Sequence, residues 1–156
     1  MKQIIISDWI LEVDVKATRE YYQCHPKITD GCDCIYCKNF VAAVELMPQD
    51  VASFFESLGI DPTKEGEVSE YCENTDGTHL YGGFYHVVGN IINGPDCWVN
   101  TDSEVNHLSS NLLEISGFSF GFTYTISLLP ADFPKPAIQL EFQGNVPWIL
   151  EEKPDS

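Results

Sequence analysis

The stretch "FSFGFTYTISL", residues 118–128, decides the fold class. Phe118, Phe120, Phe122, Tyr124, Ile126 and Leu128 alternate with Ser119, Gly121, Thr123, Thr125 and Ser127. A period of two is the pattern of a strand with one face buried. It predicts one strand across the whole stretch. "AIQLEFQ", residues 137–143, repeats the pattern with Ile138, Leu140 and Phe142 inward, and "LPADFPKP" joins the two strands. Upstream, "HLYGGFYHVVGNII" reads as a strand interrupted by Gly82-Gly83, and Asn93-Gly94 after it is a hairpin signal, though Pro95 directly after it limits the pairing of the next strand. Residues 100–111 read as a polar connection.

The first half is patterned differently. "QIIISDWILEV" near the start reads as a strand. Asp14 is placed to cap a helix over "VKATREYYQ". Residues 24–33, with Pro26 and Gly31, read as a loop. Phe40, Val41 and Val44 then keep a helical period up to Pro48. "QDVASFFESL" puts Val51, Phe54, Phe55 and Leu58 on one stripe, with Gly59 at the position after the C-cap. Asp61-Pro62 reads as a cap and first-turn pair opening a short turn or helix. Helices early and strands late predict an α+β fold. The expected form is an antiparallel sheet of about four to six strands with two or three N-terminal helices on one face. The expected organisation is one domain over residues 1–150 and a flexible acidic tail over 151–156.

With 24 acidic against 8 basic residues, the net charge is -16, and Arg19 is the single arginine. Phosphate backbones are bound by lysine and arginine, so direct nucleic-acid binding is not expected. No apolar stretch reaches the roughly 18–20 residues of a membrane helix. The opening segment has no small-residue cleavage site, so the expected location is the cytoplasm. The expected partner is a protein. An acidic decoy that occupies a basic protein's surface is one form of this.

The chemistry concentrates in "ITDGCDCIYCKNF", residues 28–40, where Cys32, Cys34 and Cys37 fall within six positions. Cys24 lies eight residues upstream of Cys32. Cytosolic thiols stay reduced, so such a cluster points to metal or thiol chemistry before disulfides. Zinc takes four soft ligands, and Cys24, Cys32, Cys34 and Cys37 are the candidate set, with His86 as an alternative to Cys24. The expected zinc role is structural, within a non-enzymatic binding domain. Iron–sulfur ligation uses the same four thiolates. The rival reading is an enzyme, using either an open metal site with His86 nearby or a reactive Cys34, or a redox switch on the C-x-x-C of Cys34 and Cys37. A cluster that only packs is the third alternative.

The remaining polar residues give weaker signals. His25 adjoins Cys24, so only one of them readily faces a given ion. His79 and His86 are seven apart, which in an unbroken strand puts them on opposite faces. His107 is expected to face solvent, and Cys72 and Cys97 to pack. Glu67, Glu70 and Glu73 read as a solvated face. Tyr81, Phe84, Tyr85 and Trp98, around the paired glycines, are candidates to line a ligand pocket. Phosphate-binding, dinucleotide, serine-hydrolase and zinc-protease motifs are absent from the sequence.

"CDCIYCKNF", "LGIDP", "LYGGFYHVVG" and the late "VPW" together resemble a small bacterial protein family. The resemblance spans most of the chain. It implies a bacterial, cytosolic origin and assigns no catalytic or binding residue.

Overall fold

The computed structural model describes residues 1–64, 66–100, 106–108 and 112–154, with backbone alone at 100 and 106–108. Two N-terminal strands, β1 (Lys2–Ile6) and β2 (Trp9–Val13), precede four helices: α1 (Val15–Gln23), α2 (Ile28–Gly31), α3 (Ile35–Val44) and α4 (Gln49–Leu58). Seven more strands follow among the described residues: β3 (Glu67–Glu73), β4 (His79–Asn93), β5 (Trp98–Asn100), β6 (Asn106–Leu108), β7 (Leu113–Ile115), β8 (Phe118–Thr123) and β9 (Ala137–Val146). The fold is α+β, with more elements than the sequence pattern predicts. A seven-stranded antiparallel sheet runs β1-β2-β4-β9-β8-β7, and β3 also pairs with β4. β5 and β6 form a separate ribbon.

The helix ends follow local chemistry. The Asp14 side chain accepts the Ala17 N–H at 2.9 Å and caps α1. Gly59 ends α4 in the left-handed region at φ +84, where the Ile60 N–H returns to the Phe55 carbonyl. A Cβ there would lie 2.6 Å from the Val15 carbonyl oxygen, so the same glycine lets α1 and α4 approach.

β4 organises the sheet. It pairs with β3 over His79–Phe84, with β2 over Gly89–Asn93, and with β9 over His79–Val88. Among the described residues, no strand pairs with the edge of β4 between the β3 and β2 segments, and α1 covers it. The Tyr22 hydroxyl bonds both the N–H and the carbonyl of His86, and Thr18 Oγ1 accepts the Val88 N–H at 3.0 Å. Both side chains are buried, so no backbone polar group is stranded there.

The core lies between the helices and one face of this sheet. Tyr81, Tyr85, Leu140, Phe142 and Phe120 project from the strands; Phe40, Phe54, Phe55 and Leu58 project from α3 and α4. Phe54 stacks on Phe120 at 4.3 Å, and Phe55 meets Tyr85 edge-on at 5.4 Å. Each fully buried aromatic of this kind contributes about 1.5–3 kcal/mol through burial. Among the described residues, no helix is long and apolar enough to cross a membrane.

Several expectations are corrected. "QIIISDWILEV" is a hairpin, turning at Ser7 with φ +52. Residues 28–31 of the expected loop form a short helix. The alternation at 118–128 continues, but the strand stops at Thr123. Side chains take the backbone donors that would extend the ladder: Asp96 accepts from Tyr124 N–H, Thr123 from Thr125 N–H, and Gln139 from Ser127 N–H. Tyr124 and Leu128 are consequently exposed. β4 does not fold back at Asn93-Gly94; the chain leads on to β5, which pairs with β6 inside the expected polar connection. Residues 101–105 and 109–111 of that connection, and residues 155 and 156 of the expected tail, lie outside the described residues. So does the His107 side chain.

Candidate metal centre

Three of the four candidate cysteines converge. The sulfurs of Cys32, Cys34 and Cys37 all lie within 4.8 Å of one another. Cys37 Sγ is 3.0 Å from Cys32 Sγ, and Cys32 Sγ is 3.4 Å from Cys34 Sγ. Local structure explains the grouping. Cys34 is the N-cap of α3, and its sulfur accepts the Cys37 N–H at 3.4 Å. Cys37 lies three positions into the helix on the same side. Cys32 follows the single turn of α2, in extended backbone, which turns its side chain back toward α3. The group therefore sits at the positive end of a ten-residue helix, which favours thiolates.

The three thiols differ in environment. Partial burial works against ionisation of Cys34, but hydrogen bonds from the Cys37 backbone, from the Cys37 and Cys32 thiols and from the Tyr36 backbone outweigh it. The net effect holds Cys34 below the ordinary thiol range. Cys37 is pushed well up by burial, then by donating to Cys32 and Cys34 and by their charge. The arrangement is graded: an exposed, readily ionised Cys34, a half-buried Cys32 and a buried Cys37. All six cysteines are unbridged.

Cys32 and Cys37 also line a cavity of about 520 Å³, shared with Tyr21, His25, Lys27 and Asp132. His25 stacks on Tyr21 at 3.7 Å. Its Nδ1 lies 2.6 Å from the Tyr21 carbonyl oxygen and its Nε2 3.0 Å from Asp132. The hydrogen bond from His25 is the main influence that holds the Asp132 carboxyl below its ordinary range. Lys27 reaches Glu45 at 3.4 Å. The sequence gives no sign that Asp132, more than a hundred residues away, closes this cavity; the chain reversal after β8 brings it there.

The other candidates lie elsewhere. Cys24 is the exposed C-cap of α1 and is not among the three grouped thiols. His86 is fully buried on the sheet face opposite the helices, with Nε2 at 3.0 Å from the Ser127 carbonyl and 3.2 Å from Gln139 Oε1. β4 runs unbroken through Gly82-Gly83, and the ladder's irregularity falls in β3 between Glu70 and Cys72. His79 and His86 therefore stay on opposite faces. His79 is buried beside Glu70 at 3.3 Å and Trp148 at 4.8 Å, so Glu70 is not part of a solvated face. Cys97 packs in the core, whereas Cys72 is exposed and does not join it. Of the four aromatics proposed around the glycines, Tyr81 and Tyr85 point into the core, while Phe84 and Trp98 line a cleft on the far face.

The polar floor of that cleft escapes the sequence reading. Gln139 and Glu141 occupy the outward positions of a half-buried strand, yet they are 2% and 6% exposed. Period-two alternation cannot distinguish a solvated face from one covered by a distant segment. Comparison of the chain with family models, with curated proteins and with solved structures found no match.

Proposed function

We propose that this protein is a metal-binding domain that holds one zinc ion through Cys32, Cys34 and Cys37 at the start of α3. The carrying observation is the mutual approach of the three sulfurs. Sulfurs about 2.3 Å from a tetrahedral zinc stand about 3.8 Å from each other, so the observed 3.0 and 3.4 Å separations need only a small expansion. Three protein thiolates leave one position for an outside donor. Cys32 and Cys37 border the 520 Å³ cavity, so that donor approaches from there. With three thiolates the centre carries a net charge of about −1, which the helix N-terminus offsets. The ion ties α2 to α3, and the domain works by binding, with the open position as its contact point.

The test is elemental analysis of protein purified without an affinity metal column, followed by X-ray absorption at the zinc edge. The expected result is about one zinc per chain with three sulfur neighbours at about 2.3 Å and one lighter neighbour. Four sulfur neighbours would close the site and implicate Cys24. A metal-free protein that takes up no zinc on titration would sink the reading.

A second reading rests on the same distance. Cys32 and Cys37 are close enough to join after a modest movement, and Cys34 is the readily ionised thiol beside them. Metal-free protein is then a dithiol switch. A thiol count before and after mild peroxide, with the disulfide mapped by mass spectrometry, tests it.

A further inference from the structure

The sheet face turned away from the helices carries a second cleft, unrelated to the thiols. It has a volume of about 630 Å³, within the range of small-molecule sites. Its floor is β4 and β9; its walls are β3, the Trp98 segment and the stretch after β8. Glu141 lies in the floor, 6% exposed, and accepts the Gln139 side-chain amide at 2.7 Å. Gln139 Oε1 in turn accepts from Ser127 N–H at 2.6 Å and from His86 Nε2 at 3.2 Å. The Trp98 side chain also hydrogen-bonds Glu141. A carboxylate in the floor of a cleft is thus held in a fixed direction by a chain of hydrogen-bond donors.

The walls are aromatic. Phe84, Trp98 and Tyr71 line the cleft, and Tyr71 lies across Gly82. A Cβ on Gly82 would stand 2.5 Å from the Tyr71 ring, so glycine is what lets the ring close over the floor. Leu128 at the rim is 71% exposed and adopts φ +53, a conformation that non-glycine residues seldom take outside constrained sites.

The charge is one-sided. Among the described residues, Glu141 and Glu67 line the cleft, and no lysine or arginine does. Burial pushes the Glu141 carboxyl upward, and the Asp96 charge adds to it, against hydrogen bonds from Trp98 and Gln139 and the influence of His86. A cationic group would relieve that cost, and aromatic faces attract cations as well.

We propose that this cleft binds a small aromatic amine, with its ammonium on Glu141 and its ring between Trp98, Phe84 and Tyr71. The site goes beyond the zinc reading and does not depend on it.

The test is calorimetric titration with three molecules of one shape and three charges: tyramine, tyrosol and 4-hydroxyphenylacetate. Tyramine is expected to bind about tenfold or more tighter than tyrosol, since a hydrogen bond to a charged group is worth that much. 4-Hydroxyphenylacetate is expected to bind weakest. Glu141→Gln keeps the shape and the acceptor for Gln139, and is expected to bring tyramine down to the tyrosol level. Tyr71→Leu, at an exposed position, leaves the core untouched and is expected to weaken tyramine severalfold. Equal binding of all three molecules, or tyramine binding unchanged in both variants, would overturn the proposal. So would saturable binding of an uncharged sugar such as methyl glucoside with tyramine silent.

Discussion

Substituting Cys37 by serine separates the zinc centre from a cluster that merely packs. Structural zinc sites yield about 10–16 kcal/mol of apparent binding energy, or roughly 3 kcal/mol for each of four ligands. Losing one thiolate should therefore weaken Kd by about two orders of magnitude. The effect is read most safely as a shift in melting temperature on adding zinc, because Cys37 is 8% exposed and serine disturbs the metal-free fold on its own account. At free zinc about 100 times the wild-type Kd, binding adds about 2.7 kcal/mol. For a chain of this size that raises Tm by roughly 5–10 °C. At the same free zinc the Cys37→Ser protein sits near its own Kd, gains about 0.4 kcal/mol and shifts by about 1 °C. Cys24→Ser serves as the control and should keep the wild-type shift, because Cys24 stands outside the three-sulfur group. Differential scanning fluorimetry in a zinc buffer gives the shifts, and competition with a chromophoric chelator gives the Kd. A full thermal shift in Cys37→Ser would refute the centre, and a shift lost equally in Cys24→Ser would refute its three-ligand form.

Other expectations follow from single contacts. Asn39 is buried on α3; its amide donates to the Pro147 carbonyl at 3.1 Å and its oxygen accepts the Ile149 N–H at 2.8 Å. Asn39→Ala should cost about 2 kcal/mol, measured by urea unfolding, and a neutral result would show that the 147–149 segment does not depend on α3. Phe120→Ala removes a ring stacked on Phe54 and should cost about 3–5 kcal/mol in the same assay; a loss within about 1 kcal/mol would contradict the described core. In metal-free protein near neutral pH, iodoacetamide should label Cys34 before Cys37 and Cys97, since Cys34 ionises readily while burial pushes Cys97 up to about 12. Peptide mapping at short times decides this, and saturating zinc should suppress the Cys34 label. Glu141 gives a pH signature. Its carboxyl is raised in the fold, so the folded chain keeps a proton that the unfolded chain has released. Stability from this group is full below the ordinary carboxyl range and is lost as pH rises through the folded value. Glu141→Gln cannot ionise, so its Tm should gain on wild type as pH rises above the ordinary carboxyl range; a constant difference would mean that the carboxyl is not raised.

What the sequence determines by itself is local. Asp14 before an amphipathic run, and Gly59 after one, mark helix ends because caps and left-handed turns are made by residues adjacent in the chain. The alternation in 118–123 and 137–143 marks strands because period two follows from backbone geometry. The grouping of Cys32, Cys34 and Cys37 is legible because one helical turn and one short loop suffice to bring their sulfurs together. What only the tertiary structure decides depends on distant segments. Whether Tyr124 to Leu128 continues the ladder turns on Asp96 and Gln139, which capture backbone N–H groups that alternation alone would assign to a partner strand. Whether Gln139 and Glu141 meet solvent turns on Trp98 and the 125–128 segment crossing that face. His86 lies on the sheet face opposite His79 and the helices because their odd spacing falls in an unbroken strand, the irregularity lying in β3 and not at Gly82-Gly83. Asp132 reaches His25 because the chain reverses between β8 and β9, and a contact across that many residues leaves no periodic trace in either segment.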